Sequence, residues 1–199
     1  WMGQSFNEFA DRDIFLDLSE RIQRELDLTD YPSEILELYR RGGQQFGVPF
    51  GIDTAFLVYN RRLLRQAGLP DPPEDWDYSQ FLAYLRKLSC PAGQDSPRRY
   101  GLDTNLPCEV FGARNFDPVT GWADCDSPEM IQYFKTNLAL MKEGLIPAAA
   151  DNSVLSGDAI SLFRQERTAM MLSFTMRWDR LFEQLDDMDW GFALLPRVK

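Results

Sequence analysis

The side chains of this sequence that could do chemistry are carboxylates, aromatic rings and three thiols, because histidine is absent from all 199 positions. Without histidine the chain cannot build a Ser-His-Asp triad, a Cys-His pair or a His-bearing zinc site. Cys90, Cys108 and Cys125 lack the C-x-x-C spacing of structural zinc or thioredoxin-like centres. We expect three free thiols, with a Cys108–Cys125 bridge as the alternative, and neither a metal nor another cofactor.

Carboxylates also dominate the charge of the chain. It has 31 Asp and Glu residues against 21 Lys and Arg, and its formal net charge is -10. This balance argues against a nucleic-acid partner, because a phosphate backbone needs clustered cations to replace its counterions. Hydrophobic residues make up 44% of the chain, which is enough to bury a core. No apolar run of the sequence is long enough to span a membrane.

The elements that must position these side chains alternate between short apolar strands and amphipathic helices, the pattern of an α/β fold. The sequence predicts two extended pieces in residues 46–59, a helix capped by Asp77 and a long helix that begins at Pro128. Four residues at helical spacing predict the buried face of the long helix: Ile131, Phe134, Leu138 and Met141. Further strands are predicted over residues 100–104, 168–174 and 190–195, and further helices over residues 158–164 and from Trp178.

Several segments in order carry a resemblance to a known family. Residues 46–60 read FGVPFGIDTAFLVYN, residues 72–77 read PPEDWD, residues 163–170 read FRQERTAM and residues 190–196 read WGFALLP. In this order and spacing the chain resembles the bacterial extracellular solute-binding proteins that serve sugar importers. The resemblance covers nearly the whole chain.

The resemblance implies an α/β fold of the periplasmic-binding-protein-like type II class, with two lobes and a ligand cleft between them. The chain would supply mainly one lobe with part of the other. We expect residues 1–53 to form part of the first lobe and a hinge crossing, residues 54–196 the second lobe, and residues 197–199 the start of the return crossing. Because family members are longer, a fragment of this length would expose apolar surface and could dimerise.

The function implied by the resemblance is the capture of a mono- or oligosaccharide and its delivery to the membrane permease of an ABC transporter. The expected partners are therefore a small sugar and the permease, with no nucleic acid. The expected location is extracellular or periplasmic, with a lipoprotein anchor on the full-length protein. No bond is broken in such a cycle, since ligand binding only favours the closed arrangement of the lobes.

A carboxylate is the first polar group that a sugar site needs, because it accepts hydrogen bonds from two hydroxyls. Asp53, with Thr54 beside it, is the candidate, because the resemblance places polar ligand contacts in the crossing kinked by Pro49 and Gly51. The alternative is that the Asp53 carboxylate only stabilises its own turn.

Aromatic rings are the second requirement, because they pack on the C–H faces of sugars. Trp178 is the candidate platform, and Met176 lies where the family often has an aromatic residue, although both could fill the core instead. Trp122, in the loop of residues 117–126, is either a platform or a cap over the next helix. Trp1 resembles a strand end that lies near the sugar. Trp76 is expected to anchor the following helix and not to contact ligand.

Three rival functions stay open. A carbohydrate-active hydrolase needs two carboxylates facing one bond, and no short motif nominates such a pair. A binding protein for a non-sugar polar solute would use the same kind of cleft. An interaction domain would use its α/β lobe to grip another protein.

Overall fold

The computed structural model of the protein describes residues 6–10, 12, 14–93, 97–116, 122–148 and 158–198, without the side chains of residues 7 and 8. By the packing of its residues the chain divides into two compact units, Trp1–Ile52 and Asp53–Lys199. The assignment of the predicted ranges 1–53 and 54–196 to two lobes stays a prediction. Each unit is described below by itself.

The first unit combines short helices with a hairpin. Its elements are α1 (Phe6–Ala10), α2 (Ser19–Glu25), α3 (Ser33–Glu37), β1 (Arg40–Arg41) and β2 (Gln44–Gln45). The hairpin turns at Gly42 and Gly43, both of which have a positive φ that favours glycine. The ring of Phe6 stacks on that of Phe15, with 5.5 Å between centroids, and contacts the ring of Tyr39 at the same distance. These aromatic contacts hold the small unit together.

The second unit contains most of the regular structure. Its helices are α4 (Arg61–Gln66), α5 (Tyr78–Leu88), α6 (Pro128–Glu143), α7 (Ala159–Arg164) and α8 (Trp178–Gln184). Among its described residues the strands are β3 (Ala55–Asn60), β4 (Tyr100–Leu102), β5 (Thr168–Phe174) and β6 (Trp190–Ala193), and 3-10 turns cover Cys108–Phe111 and Thr175–Arg177. Of the two extended pieces predicted in residues 46–59, only the second is a strand. Residues 46–54 pair with no strand, and Pro49 lacks the N–H that a ladder needs.

The strands of the second unit form one sheet with the order β4-β5-β3-β6. β4 is parallel to β5, whereas β3 is antiparallel to both β5 and β6. Therefore β4, β5 and β6 end, and β3 begins, at the same edge of the sheet. We call this the strand-end edge. Loops at such an edge are where α/β sheets place their ligand contacts.

Helices cover both faces of this sheet. Alternate residues of β3 point to opposite faces, so Leu57 and Tyr59 join one core cluster and Phe56 and Val58 the other. The first cluster also contains buried residues of α4, α5 and α6, and the second contains those of α7 and α8. The result is a layered α/β/α arrangement that fixes the strand-end edge.

Local capping explains where the long helices begin. The Asp77 carboxylate accepts a hydrogen bond from the backbone N–H of Gln80 at 2.9 Å, and the Gln80 side chain accepts one from the Asp77 N–H at 2.9 Å. Ser127 accepts from Met130 N–H at 3.2 Å ahead of Pro128, and Gly144 ends α6 with φ 70°. These predicted helix starts are confirmed.

The predicted buried face of α6 is wrong for three of its four residues. Ile131, Phe134 and Leu138 expose 40%, 56% and 51% of their surface, and Met141 is half-buried against the main core. The buried residues of this helix are Met130, Asn137 and Leu140. α6 carries apolar residues on two sides, and its contact with the turn at Cys108 selects the side of Met130. Helical spacing alone could not make that choice.

The cysteines of the protein are free thiols, as expected. Cys90 and Cys125 are exposed, whereas Cys108 is buried, and that burial raises the pKa of its thiol. Among the described residues, no helix is both long and apolar enough to cross a membrane.

Candidate functional site

Asp53 lies at the strand-end edge, just before β3, and holds the turn that follows β5. Its Oδ1 accepts hydrogen bonds from Thr175 Oγ1 and from Met176 N–H, both at 3.0 Å. Thr54 joins the same cluster, because its N–H donates to Thr175 Oγ1 at 3.0 Å and its carbonyl accepts from Thr175 N–H at 3.1 Å. The structure thus brings together three of the predicted residues, Asp53, Thr54 and Met176, around Thr175.

The Asp53 carboxylate has a structural role, and one of its two oxygens remains available as an acceptor. Both of its hydrogen bonds end on Oδ1, and within the described part of the chain no donor is recorded at Oδ2. The side chain is exposed. Asp53 therefore caps a turn that is distant in sequence, instead of closing its own turn, and it keeps one oxygen free to accept from a ligand.

Met176 and Trp178 follow this turn but lie in different surroundings. Met176 exposes 69% of its surface, so it does not fill the core. The half-buried Trp178 ring contacts Phe56, Phe182 and Phe192 in edge-to-face geometry, with centroids 5.2 to 5.3 Å apart. These neighbours occupy much of the indole surface, which favours the packing role for Trp178. Its ligand contact stays a prediction.

The two remaining aromatic candidates are separate from the Asp53 cluster in the chain. Trp122 exposes 78% of its surface and lies beside the bridge between Phe116 and Ala123, ahead of α6. Trp1 lies outside the described residues. Both stay predictions as ligand contacts.

A second carboxylate at the strand-end edge was not predicted. Asp103 follows β4 directly, and its Oδ1 accepts from Leu172 N–H of β5 at 2.8 Å. The side chain thereby satisfies a β5 donor just beyond the end of β4. Burial raises the pKa of Asp103 to about 7, although the N–H groups of Leu172, Asp103 and Thr104 and the charge of Arg177 oppose that rise. The sequence feature that could have indicated Asp103 is its position as an acidic residue directly after an apolar strand.

The raised pKa of Asp103 predicts that stability falls as pH rises from 5 to 8. The folded protein holds this proton up to about pH 7, whereas the unfolded chain releases it near 3.8, so the folded state binds more protons between these values. We expect the group to lower the unfolding free energy by about 2 kcal/mol over this range. Urea denaturation at both pH values measures the change.

Asp103→Asn is the matched variant for that measurement, because the amide oxygen still accepts from Leu172 N–H but the side chain no longer titrates. The variant should lose this part of the pH dependence. The sequence contains no histidine to titrate in the same range. An identical pH dependence in both proteins would contradict the assignment.

A separate concavity lies within the first unit. It has a volume of ≈ 300 Å³, and its lining residues include Asp30, Tyr31 and Phe50. The sequence did not predict it, because its walls come from residues 30–35 and from residues 49–52, which only folding brings together. Aromatic rings beside a carboxylate are again a combination that suits a hydroxylated molecule.

The arrangement at the strand-end edge is suited to hydrogen bonding. The described residues contain no group of three or more His, Cys, Asp and Glu side chains that could hold a metal ion. The edge has a fixed carboxylate with a free oxygen, an exposed methionine on the turn that this carboxylate holds, and a second, half-buried carboxyl group.

Several known proteins are similar to this chain. A chain from Brucella abortus that is named a binding protein is 22% identical over 165 residues, which cover 77% of this chain and 38% of that protein. An ABC substrate-binding protein from Listeria monocytogenes in complex with cycloalternan is similar in structure, with a TM-score of 0.79 and 19% identity. UgpB from Mycobacterium tuberculosis in complex with glycerophosphocholine has a TM-score of 0.72 and 22% identity.

The solved structures show the fold. They cover 98% and 96% of this chain, and the chain spans about half of each of them, 51% and 48%. The expected type II periplasmic-binding-protein fold is therefore confirmed. The sequence profile of the bacterial extracellular solute-binding proteins matches residues 1–199. The chain belongs to the family of bacterial extracellular solute-binding proteins.

Proposed function

We propose that this chain forms part of the binding site for a mono- or oligosaccharide in a protein that delivers its solute to an ABC transporter permease. The observation that carries the proposal is the Asp53 carboxylate at the strand-end edge. Hydrogen bonds from Thr175 and Met176 hold its Oδ1, while Oδ2 stays available. A carboxylate held in place before binding loses little conformational freedom when it accepts ligand hydroxyls.

The neighbourhood of Asp53 supports a ligand that has both polar and apolar surface. Met176, whose N–H donates to the carboxylate, has an exposed side chain that can contact C–H groups, while Asp53 accepts from hydroxyls. Trp178, Trp122 and Trp1 are the aromatic candidates that would extend this contact. A sugar presents both kinds of surface.

A non-sugar polar solute is the second candidate. It is supported by UgpB, whose solved complex contains glycerophosphocholine. The Listeria protein, in contrast, was solved with cycloalternan. Both relatives are similar to this chain in structure, so both kinds of solute belong in the test of the proposal.

The whole protein would act without breaking bonds. Ligand would bridge two lobes and favour their closed arrangement, and the closed form would dock on the permease. We place it outside the cell or in the periplasm, anchored as a lipoprotein, and this chain alone could dimerise. A hydrolase would need two carboxylates that face one bond, whereas Asp53 and Asp103 each accept hydrogen bonds that hold β5 or the turn after it.

A thermal-shift screen of the full-length protein tests the proposal. The panel contains mono- and oligosaccharides, polyols and glycerophosphodiesters. A solute at 100 times its dissociation constant stabilises the folded state by roughly 2.7 kcal/mol, which is a visible shift in melting temperature. A shift with a sugar supports the proposal, and a shift only with another solute supports the second candidate. No shift with any member would contradict both.

A further inference from the structure

Arg177 brings a positive charge to the strand-end edge. It is the last residue of the 3-10 turn Thr175–Arg177 and follows Met176, whose N–H donates to Asp53 at 3.0 Å. The side chain is exposed, and its charge acts on the Asp103 carboxyl group. Arg177 thus lies on the turn that Asp53 holds, directly after β5, the strand to which Asp103 is bonded.

Within the described residues, no ion pair is recorded for the exposed Arg177, Arg114 and Arg197, whereas other exposed arginines of this unit pair with carboxylates. Examples are Arg65 with Asp189 at 2.6 Å, Arg86 with Glu143 at 2.9 Å and Arg164 with Asp187 at 2.6 Å. Across the described residues, no ion pair within 4 Å and no hydrogen bond is recorded for Arg177. In a chain with ten more acidic than basic residues (31 against 21), this leaves a guanidinium available where a ligand would bind.

The two carboxylates at this edge already accept hydrogen bonds from other groups. Asp53 Oδ1 is held by Thr175 and Met176, and Asp103 Oδ1 is held by the N–H of Leu172. These bonds tie each carboxylate to the end of β5. A guanidinium fork beside them suits a planar carboxylate or a phosphate, which it can bind through two parallel hydrogen bonds.

We propose that Arg177 binds an anionic group, a phosphate or a carboxylate, of a hydroxylated solute, while Asp53 accepts hydrogen bonds from the hydroxyls of the same molecule. The inference rests on the proposed function and names the solute class for the same site. The class is an acidic sugar or a phosphorylated sugar or polyol. The half-buried Asp103 opposes an anion less below about pH 7, because burial keeps its carboxyl group protonated there.

Titration calorimetry of the full-length protein with matched probes tests this inference. The probes are glucose, glucuronate and glucose 6-phosphate, and glycerol with glycerol 3-phosphate. We expect an anionic probe to bind more tightly than its neutral partner. Arg177→Ala should weaken the affinity for the anionic probe by roughly 10- to 100-fold. Arg177→Lys should recover part of the loss, because a lysine keeps the charge without the fork. A larger effect with phosphates than with glucuronate would identify the anion as phosphate, and the reverse would identify a carboxylate.

Arg180→Ala is the control, because Arg180 is an exposed arginine on the next helix that lies 3.8 Å from Asp158. It should leave the affinities unchanged. Neutral binding that is lost in Asp53→Asn, with no anion preference and no effect of Arg177→Ala, would overturn this inference and keep the proposed function. No binding of any probe, together with no hit in the thermal-shift screen, would overturn both.

Discussion

Asp53→Asn in the full-length protein is expected to weaken solute binding by roughly 10- to 100-fold without unfolding the protein. The amide oxygen of the variant can still accept from Thr175 Oγ1 and Met176 N–H, so the turn after β5 stays held. The variant loses the negative charge and the second acceptor, because an amide nitrogen only donates. Titration calorimetry with the best solute of the thermal-shift screen measures the loss.

Asp27→Asn is the matched control for this variant. Asp27 is also an exposed carboxylate whose Oδ1 accepts two hydrogen bonds, from the N–H and the hydroxyl of Thr29. It holds a turn of the first unit in the same way but has no predicted ligand role, so the control should bind like the unmodified protein. Equal affinity of Asp53→Asn and Asp27→Asn would show that the Asp53 carboxylate is structural only.

Trp76→Ala is expected to cost about 3–5 kcal/mol of unfolding free energy, the largest single effect on stability that we predict. Trp76 is almost fully buried, and its ring contacts those of Phe81 and Tyr84 with centroids 5.6 and 5.5 Å apart. Its Nε1–H donates to the carbonyl of Leu194 at 2.9 Å, and its own carbonyl accepts from Arg197 N–H at 3.0 Å. Removal of the ring leaves a cavity and frees the segment after β6.

Urea denaturation of this chain measures the Trp76 effect, with two further variants. Trp76→Phe keeps an aromatic ring but loses the bond to Leu194, so it should cost less, about 1–3 kcal/mol. Trp122→Ala is the control of the same residue type at a position that is 78% exposed, and it should change stability by less than about 0.5 kcal/mol. If Trp76→Ala were no more costly than Trp122→Ala, the anchoring role of Trp76 would be wrong.

Elements with strong local signals could be predicted from the sequence. The apolar run over residues 168–174 became β5 with the predicted bounds, and the capping box of Asp77 starts α5 as expected. These signals depend on neighbours in the chain, which a sequence displays directly. The buried face of α6 depends instead on which of its two apolar sides meets the turn at Cys108. That is a tertiary contact, and helical spacing predicted the wrong side.

In the candidate site, too, features with a local signal could be predicted and tertiary contacts could not. Asp53 could be predicted because Pro49 and Gly51 mark the kinked segment around it. Its partners could not be predicted, because Thr175 comes beside Asp53 only when β3 pairs with β5, with Ala55 opposite Phe174. Asp103 likewise reaches the site through the parallel pairing of β4 with β5. Strand register over such separations has no local signal in one sequence.

Native mass spectrometry of the full-length protein with its best solute is the most direct test of the central claim, that the protein captures a solute without changing it. The account predicts one added mass equal to that of the intact solute, which persists during incubation and is reduced in Asp53→Asn. A solute mass that is replaced by cleaved fragments would indicate a hydrolase. The absence of any added mass with every solute would contradict the binding function itself.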